Sequence, residues 1–147
     1  MELPLSASKL PNAQAVRARL DSPTATIAAS ILVVEDETKL ASAVIDALRD
    51  AGYIVQHAAD GEEALTKVTA EAFDLVICDL KMPRMDGMAF YRMLSAAAPG
   101  LAKRVIFVTG DVAGTDAEQF LEESGCRWLA KPFRLGDLLR AVRDGLS

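Results

Sequence analysis

Five short apolar runs, each followed by a stretch with helical spacing, constrain this chain more than any other feature. Ile31-Leu32-Val33-Val34 is rich in β-branched residues, as expected of a strand buried on both faces. Tyr53-Ile54-Val55, Phe73 to Cys78, Val105 to Val108, and Arg127-Trp128-Leu129 follow as further strands. Between the first two, Leu40, Val44, Ala47, Leu48 and Ala51 fall on one stripe of a helix from Thr38 to Ala51, which Gly52 stops. Asp60 can cap a second helix holding Ala64, Leu65 and Val68. Met88 to Ala98 is a third, ended by Pro99-Gly100. A weak polar helix spans Thr115 to Glu123, and a last one Leu135 to Val142. Strands that alternate with helices imply a parallel sheet covered on both faces. The expected fold is therefore α/β and doubly wound, with five strands and five helices. The order 2-1-3-4-5 is a common one for such sheets.

Residues 1–29 have a different texture. Pro4, Pro11 and Pro23 stand among scattered Ala, Ser and Thr, which reads as a tail or linker ahead of a domain at 30–147. The net charge is −5, and Lys9, Arg17 and Arg19 against Glu2 and Asp21 leave all of the negative balance on the domain. An acidic body lacks the basic face that nucleic-acid binding needs. No stretch approaches the roughly 18 apolar residues of a membrane span, and no secretory signal is visible, so no membrane contact and a cytoplasmic location are expected. Cys78 and Cys126 match no metal-ligand spacing and read as two buried small hydrophobes.

In an open parallel sheet, ligands bind beyond the carboxyl ends of the strands. The residues just after the strands are therefore the ones to read. The first strand delivers Glu35 and Asp36, the third Asp79, the fourth Thr109 and the fifth Lys131. Three carboxylates would meet at one edge. Two unit charges about 4 Å apart repel by roughly 4 kcal/mol at an effective dielectric of 20, so the cluster calls for a cation or raised pKa values. Oxygen-only ligands favour Mg2+ (or Mn2+). Lys131 and Thr109 add a charge and a hydroxyl suited to phosphate oxygens. No glycine-rich nucleotide cradle is present. The chain is equipped to receive a phosphoryl group, not to bind ATP.

Val33-Val34-Glu35-Asp36-Glu37, Asp79-Leu80-Lys81-Met82-Pro83 with Met85-Asp86-Gly87, Val108-Thr109-Gly110 and Lys131-Pro132-Phe133 resemble, in order, the motifs of response-regulator receiver domains, over roughly residues 30–147. The resemblance implies a flavodoxin-like fold and a part in two-component signalling. It makes Asp79 the phosphoacceptor for a histidine-containing phosphodonor domain. It assigns Glu35, Asp36, Asp79 and the backbone carbonyl of Lys81 to the metal, and Lys131 to the phosphoryl oxygens. Thr109 would move toward those oxygens, and the Lys131–Pro132 bond would be cis. An isolated receiver would promote only its own phosphorylation and dephosphorylation. Two departures stand out. Glu35 occupies a position often held by Asp, and the switch position three residues before the lysine holds Trp128 where Tyr or Phe is usual; its alternative reading is plain core. Lys81 and Asp111, each two residues past a site residue, are expected to flank the path of water and tune the lifetime of the modification.

Glu2-Leu3-Pro4-Leu5 resembles the end of the ATPase domain of sensor histidine kinases. That suggests the C-terminal receiver of a hybrid kinase, with a stand-alone regulator as the alternative. His57 reads as an isolated residue at the end of a strand, without the helical context of a phosphodonor. Ile45 reads as an exposed apolar residue off its helix stripe that also suits docking of a donor helix. Other classes fit less well. A degenerate receiver serving only as a binding module would not need an intact acceptor, acidic pair, threonine and lysine. An aspartyl phosphatase would carry a second Asp two residues after the first, where this chain has Lys81. A flavin carrier would not present an anionic rim.

Overall fold

A computed structural model describes residues 28–82, 85–110 and 116–147. The expected tail therefore lies almost wholly outside the described residues. Five parallel strands, β1 (Ser30–Val34), β2 (Ile54–Ala58), β3 (Leu75–Asp79), β4 (Val105–Thr109) and β5 (Arg127–Ala130), form one sheet in the order β2-β1-β3-β4-β5. The connecting helices are α1 (Thr38–Asp50), α2 (Gly61–Ala70), α3 (Gly87–Ala97), α4 (Pro99–Ala102), α5 (Asp116–Ser124) and α6 (Leu135–Leu146).

Burial follows position in the sheet. Every residue of β3 and β4 is buried, whereas the outer strands β2 and β5 keep exposed positions. Alternate residues of the inner strands feed two cores. Leu32, Val34, Val76, Cys78 and Phe107 face one layer with Phe90, Leu94 and Phe120. Ile31, Val33, Ile77, Ile106 and Val108 face the other, with Val44, Leu48, Leu138 and Val142. Each fully buried Leu, Val, Ile or Phe contributes roughly 1.5–3 kcal/mol. Tyr91, Phe107 and Phe120 pack edge to face at 5.7, 5.5 and 5.3 Å. That geometry suits the ring quadrupoles and ties α3 and α5 to the middle of the sheet.

The elements differ from the sequence reading at their ends. β2 runs on through Gln56 and His57 to Ala58, because pairing with β1 continues past the apolar run, with Val33 opposite His57 and Val34 opposite Ala58. Pro99-Gly100 does not merely end α3. The chain breaks at Ala98 and restarts as a single turn, with Pro99 at its first position, where the ring's fixed φ is suitable. Thus there are six helical segments among the described residues where five were expected. α6 extends past Val142 to Leu146, which packs on the second core. Gly52, at φ +99, supplies the left-handed turn after α1.

Two expected side-chain placements are corrected. Ile45 is half-buried and packs on the second core, because the flank of α1 lies closer to the sheet than the stripe implies. Cys78 is fully buried, but Cys126 is only partly so, since it precedes the outermost strand.

Candidate functional site

The register of the sheet brings the chemistry-bearing residues to one edge. Asp79, last in β3, lies beside Val108, and Thr109, last in β4, lies beside Ala130. The residue after Ala130 is Lys131, whose N–H donates to the Thr109 carbonyl at 2.8 Å. The Lys131–Pro132 peptide bond is cis. Glu35 follows β1 directly and its N–H donates to the Ala58 carbonyl at 3.0 Å, so the pairing of β1 with β2 carries it to the same edge.

There, Glu35 and Asp79 are buried at 3% and 5% exposure, and Asp36 is exposed. Each of these three carboxylates offers one oxygen to a group whose members all lie within 4.8 Å of one another. Lys131 Nζ reaches across to Asp79 Oδ2 at 2.8 Å and Glu35 Oε1 at 3.2 Å. The other Asp79 oxygen accepts the Lys81 N–H at 3.1 Å, and Glu35 Oε2 accepts the Glu37 N–H at 3.1 Å. Both buried carboxylates thus have each oxygen engaged.

Lys131 does not fully neutralise the pair. Burial pushes the Glu35 carboxyl up to about 7, with the Glu37 amide opposing, the Asp79 charge adding to the rise, and Lys131 lowering it. Lys131 itself is held above its ordinary value. Its partial burial works against the charge, but the hydrogen bond to Asp79 and the charges of Asp79 and Glu35 outweigh that. A site with three converging carboxylate oxygens, one exposed rim and a surplus of negative charge fits a hard divalent cation such as Mg2+ or Mn2+.

Thr109 is 1% exposed, and its Oγ1 has no hydrogen-bond partner among the described residues. A buried hydroxyl without a partner costs about 1–3 kcal/mol, so it calls for an explanation at the site. The floor of the site is closely bonded and packed. Gly87 N–H donates to the Leu80 carbonyl at 2.9 Å, and Asp86 caps α3 by accepting from the Ala89 N–H at 2.9 Å. A Cβ at Gly87 would overlap the Asp79 carbonyl oxygen and lie 2.9 Å from Leu80 Cα, so only glycine lets α3 start this close to β3. Behind Asp79, the Cys78 thiol donates to the Asp79 carbonyl at 3.3 Å, and burial first, then the acidic neighbours, pushes that thiol up.

Of the other predicted positions, Lys81 is exposed beside Asp79. Trp128 is 42% exposed on the edge strand, which excludes the plain-core reading. Asp111 and Pro83 lie outside the described residues. The sequence reads His57 as an isolated residue, but it has a partner at the site. Its Nε2 lies 2.8 Å from the Glu35 carbonyl, a contact visible only once β2 is known to continue past Val55. No helix among the described residues is long and apolar enough to cross a membrane.

Comparison with known proteins matches this geometry. The family described as response regulator receiver domain matches residues 31–143. The chain is 33% identical over 113 residues to the transcriptional regulatory protein DltR of Streptococcus agalactiae (strain NEM316), covering 77% of this chain and 50% of that protein. It thus spans about half the length of that relative. It is 32% identical over 116 residues to the response regulator receiver protein CpdR of Brucella abortus, covering 79% of this chain and 95% of that one. Among solved structures, the receiver domain of the sensor histidine kinase PA1611 from Pseudomonas aeruginosa PAO1 superposes with a TM-score of 0.73 at 29% identity, covering 82% of this chain and 98% of that one. That structure has a magnesium ion coordinated in its active-site cleft. With the motifs, the sheet order and the acidic edge in agreement, the chain belongs to the response regulator receiver domain family of two-component systems.

Proposed function

We propose that Asp79 accepts a phosphoryl group from a phosphohistidine on a partner domain, and that this modification switches the conformation of the chain. The observation that carries the reading is the setting of Asp79. It is a buried carboxylate at a strand end, bonded to Lys131 at 2.8 Å, with Glu35 and Asp36 oxygens within 4.8 Å. An Asp79 oxygen attacks phosphorus, the P–N bond to the donor imidazole breaks, and its electron pair stays on the imidazole nitrogen. Lys131, already between Asp79 and Glu35, moves its charge to the phosphoryl oxygens. The Lys81 N–H holds the acceptor carboxylate in orientation. Thr109 Oγ1 donates to an incoming oxygen, which would satisfy its buried hydroxyl. Glu35, Asp36, Asp79 and the Lys81 carbonyl would hold Mg2+. The bound metal would offset the charge of the carboxylates and of the entering phosphate.

Trp128 is the proposed reporter of the switch. Its exposure leaves it room to turn inward when Thr109 shifts. Lys81 and Asp111 are proposed to tune the lifetime of the acyl phosphate. Residues 30–147 are proposed as the receiver unit and 1–29 as a linker, with the whole in the cytoplasm. The likeness to the PA1611 receiver and the Leu-Pro-Leu segment support a place in a hybrid histidine kinase. The near-complete coverage of CpdR supports the alternative, a stand-alone regulator. The test is uptake of label from a small phosphodonor. Wild type should gain one phosphoryl group with Mg2+ and almost none with a chelator, and Asp79→Asn should gain none. Equal labelling of Asp79→Asn would refute the assignment.

A further inference from the structure

The two acidic residues that follow β1 are joined by a single peptide unit, and its carbonyl belongs to Glu35. That carbonyl lies 2.8 Å from His57 Nε2. A carbonyl oxygen can only accept, so Nε2 must carry the proton. His57 is the sole histidine of the chain and sits opposite Val33 in the register of β1 and β2. It is half-buried on the sheet face that carries Val55. Four contacts hold Glu35 in place. Its N–H donates to the Ala58 carbonyl, its carbonyl accepts from His57, and its two carboxylate oxygens face Lys131 and the Glu37 N–H. Three of these act on the side chain or on the strand before it. The Glu37 N–H contact also brackets Asp36 from its far side, but of the four only His57 bonds directly to an atom of the peptide that leads to the exposed Asp36.

We propose that His57 is a positioning residue for the acidic pair: its Nε2–H anchors the Glu35–Asp36 peptide so that both carboxylates face Asp79 before a metal arrives. This rests on the reading of those carboxylates as metal ligands. Without the anchor, only the 3.1 Å bridge from the Glu37 N–H to the Glu35 side chain restrains this segment, and rotation about the Glu35 ψ and Asp36 φ torsions swings the Asp36 carboxylate off the cluster. Groups that orient metal ligands from behind are commonly worth about 10-fold or more in metal affinity. The ring also replaces a backbone partner at a place where β2 ends at Ala58 and offers no further strand amide.

The experiment is calorimetric titration of the full chain with Mg2+, comparing wild type, His57→Phe, His57→Gln and Asp36→Asn, with the metal-free melting temperature measured for each. Phe keeps the ring volume and removes the donor; Gln keeps a donor at similar reach. His57→Phe should bind Mg2+ about 10-fold more weakly, and His57→Gln should recover most of the loss. A packing role alone would lower the melting temperature of His57→Phe and leave its Mg2+ affinity unchanged; that result, with Asp36→Asn losing the metal, overturns the proposal. If Asp36→Asn binds as wild type does, the ligand assignment fails, and the proposal with it. Should His57→Phe not fold, nitrogen-15 NMR of the wild-type imidazole decides. A ring protonated at Nε2 supports the anchor, and an Nδ1–H ring with bare Nε2 refutes it.

Discussion

Gly87→Ala tests how tightly the floor of the site is built. The added Cβ would overlap the carbonyl oxygen of Asp79 and approach Leu80 Cα at 2.9 Å. Both neighbours are backbone atoms, one of the last residue of β3 and one of the buried Leu80 that follows it, so neither can turn aside as a flexible side chain would. Overpacking of this kind costs about 1–3 kcal/mol. Alanine's better helix propensity, worth up to about 1 kcal/mol, offsets part of it. A net loss of about 1 kcal/mol is expected, which lowers the melting temperature of a domain this size by about 4 °C. Gly100→Ala is the matched control, because nothing lies within 4 Å of its Cβ position. It should be neutral or raise stability by a few tenths of a kcal/mol. Urea unfolding at equal protein concentration reads both, and the phosphorylation rate of Gly87→Ala should fall because the strain lands on the acceptor's own backbone. If Gly87→Ala and Gly100→Ala unfold at the same denaturant concentration, the close approach of α3 to β3 is not as described.

Other outcomes follow from the same geometry. Glu35 ionises near 7 in the folded chain against an ordinary value of 4.5, so its contribution to stability is fully present below 4.5 and lost as pH rises through 7. The metal-free melting temperature of wild type should fall across that window relative to Glu35→Gln, and parallel curves would refute it. The raised value of Lys131 adds nothing in this window, since its stabilisation is lost only above its ordinary 10.5. Mg2+ must displace the Glu35 proton below about 7, so its affinity should weaken with acidity by up to about 10-fold per pH unit; a pH-independent titration would count against Glu35 as a ligand. Thr109→Val keeps the shape of a buried side chain whose hydroxyl has no partner among the described residues, and should leave unmodified stability unchanged or slightly raised. The single Trp128 should change emission when beryllofluoride and Mg2+ mimic the phosphoryl group, and Thr109→Val should suppress that change while still binding the mimic. Flat wild-type emission with the mimic bound would remove Trp128 from the switch.

The inner part of the molecule was legible from the chain alone. Strands such as Ile31–Val34 and Val105–Val108 are continuous apolar runs because parallel strands bury both faces, and the residues that end them converge for the same reason. The edges were less legible. Gln56 and His57 belong to a strand because β1 pairs with them, a tertiary cause that leaves no apolar signature. The break at Ala98 and the fresh turn from Pro99 depend on local backbone geometry, and a proline read only as a terminator hides it. The half-burial of Ile45 reflects how α1 lies against the sheet. The partners of Thr109 and Lys131 could be named from their positions, but the orphaned Thr109 hydroxyl and the double contact of Lys131 are distances, and only the structure supplies distances.

The central claim is that Asp79 itself carries the phosphoryl group. Borohydride reduction converts an aspartyl phosphate, but not a free carboxylate, to homoserine, and peptide mass mapping then locates it. Wild type treated with a phosphodonor and Mg2+ should yield homoserine at position 79 alone. Homoserine at position 36, or modification that persists elsewhere in Asp79→Asn at the wild-type level, would contradict the account.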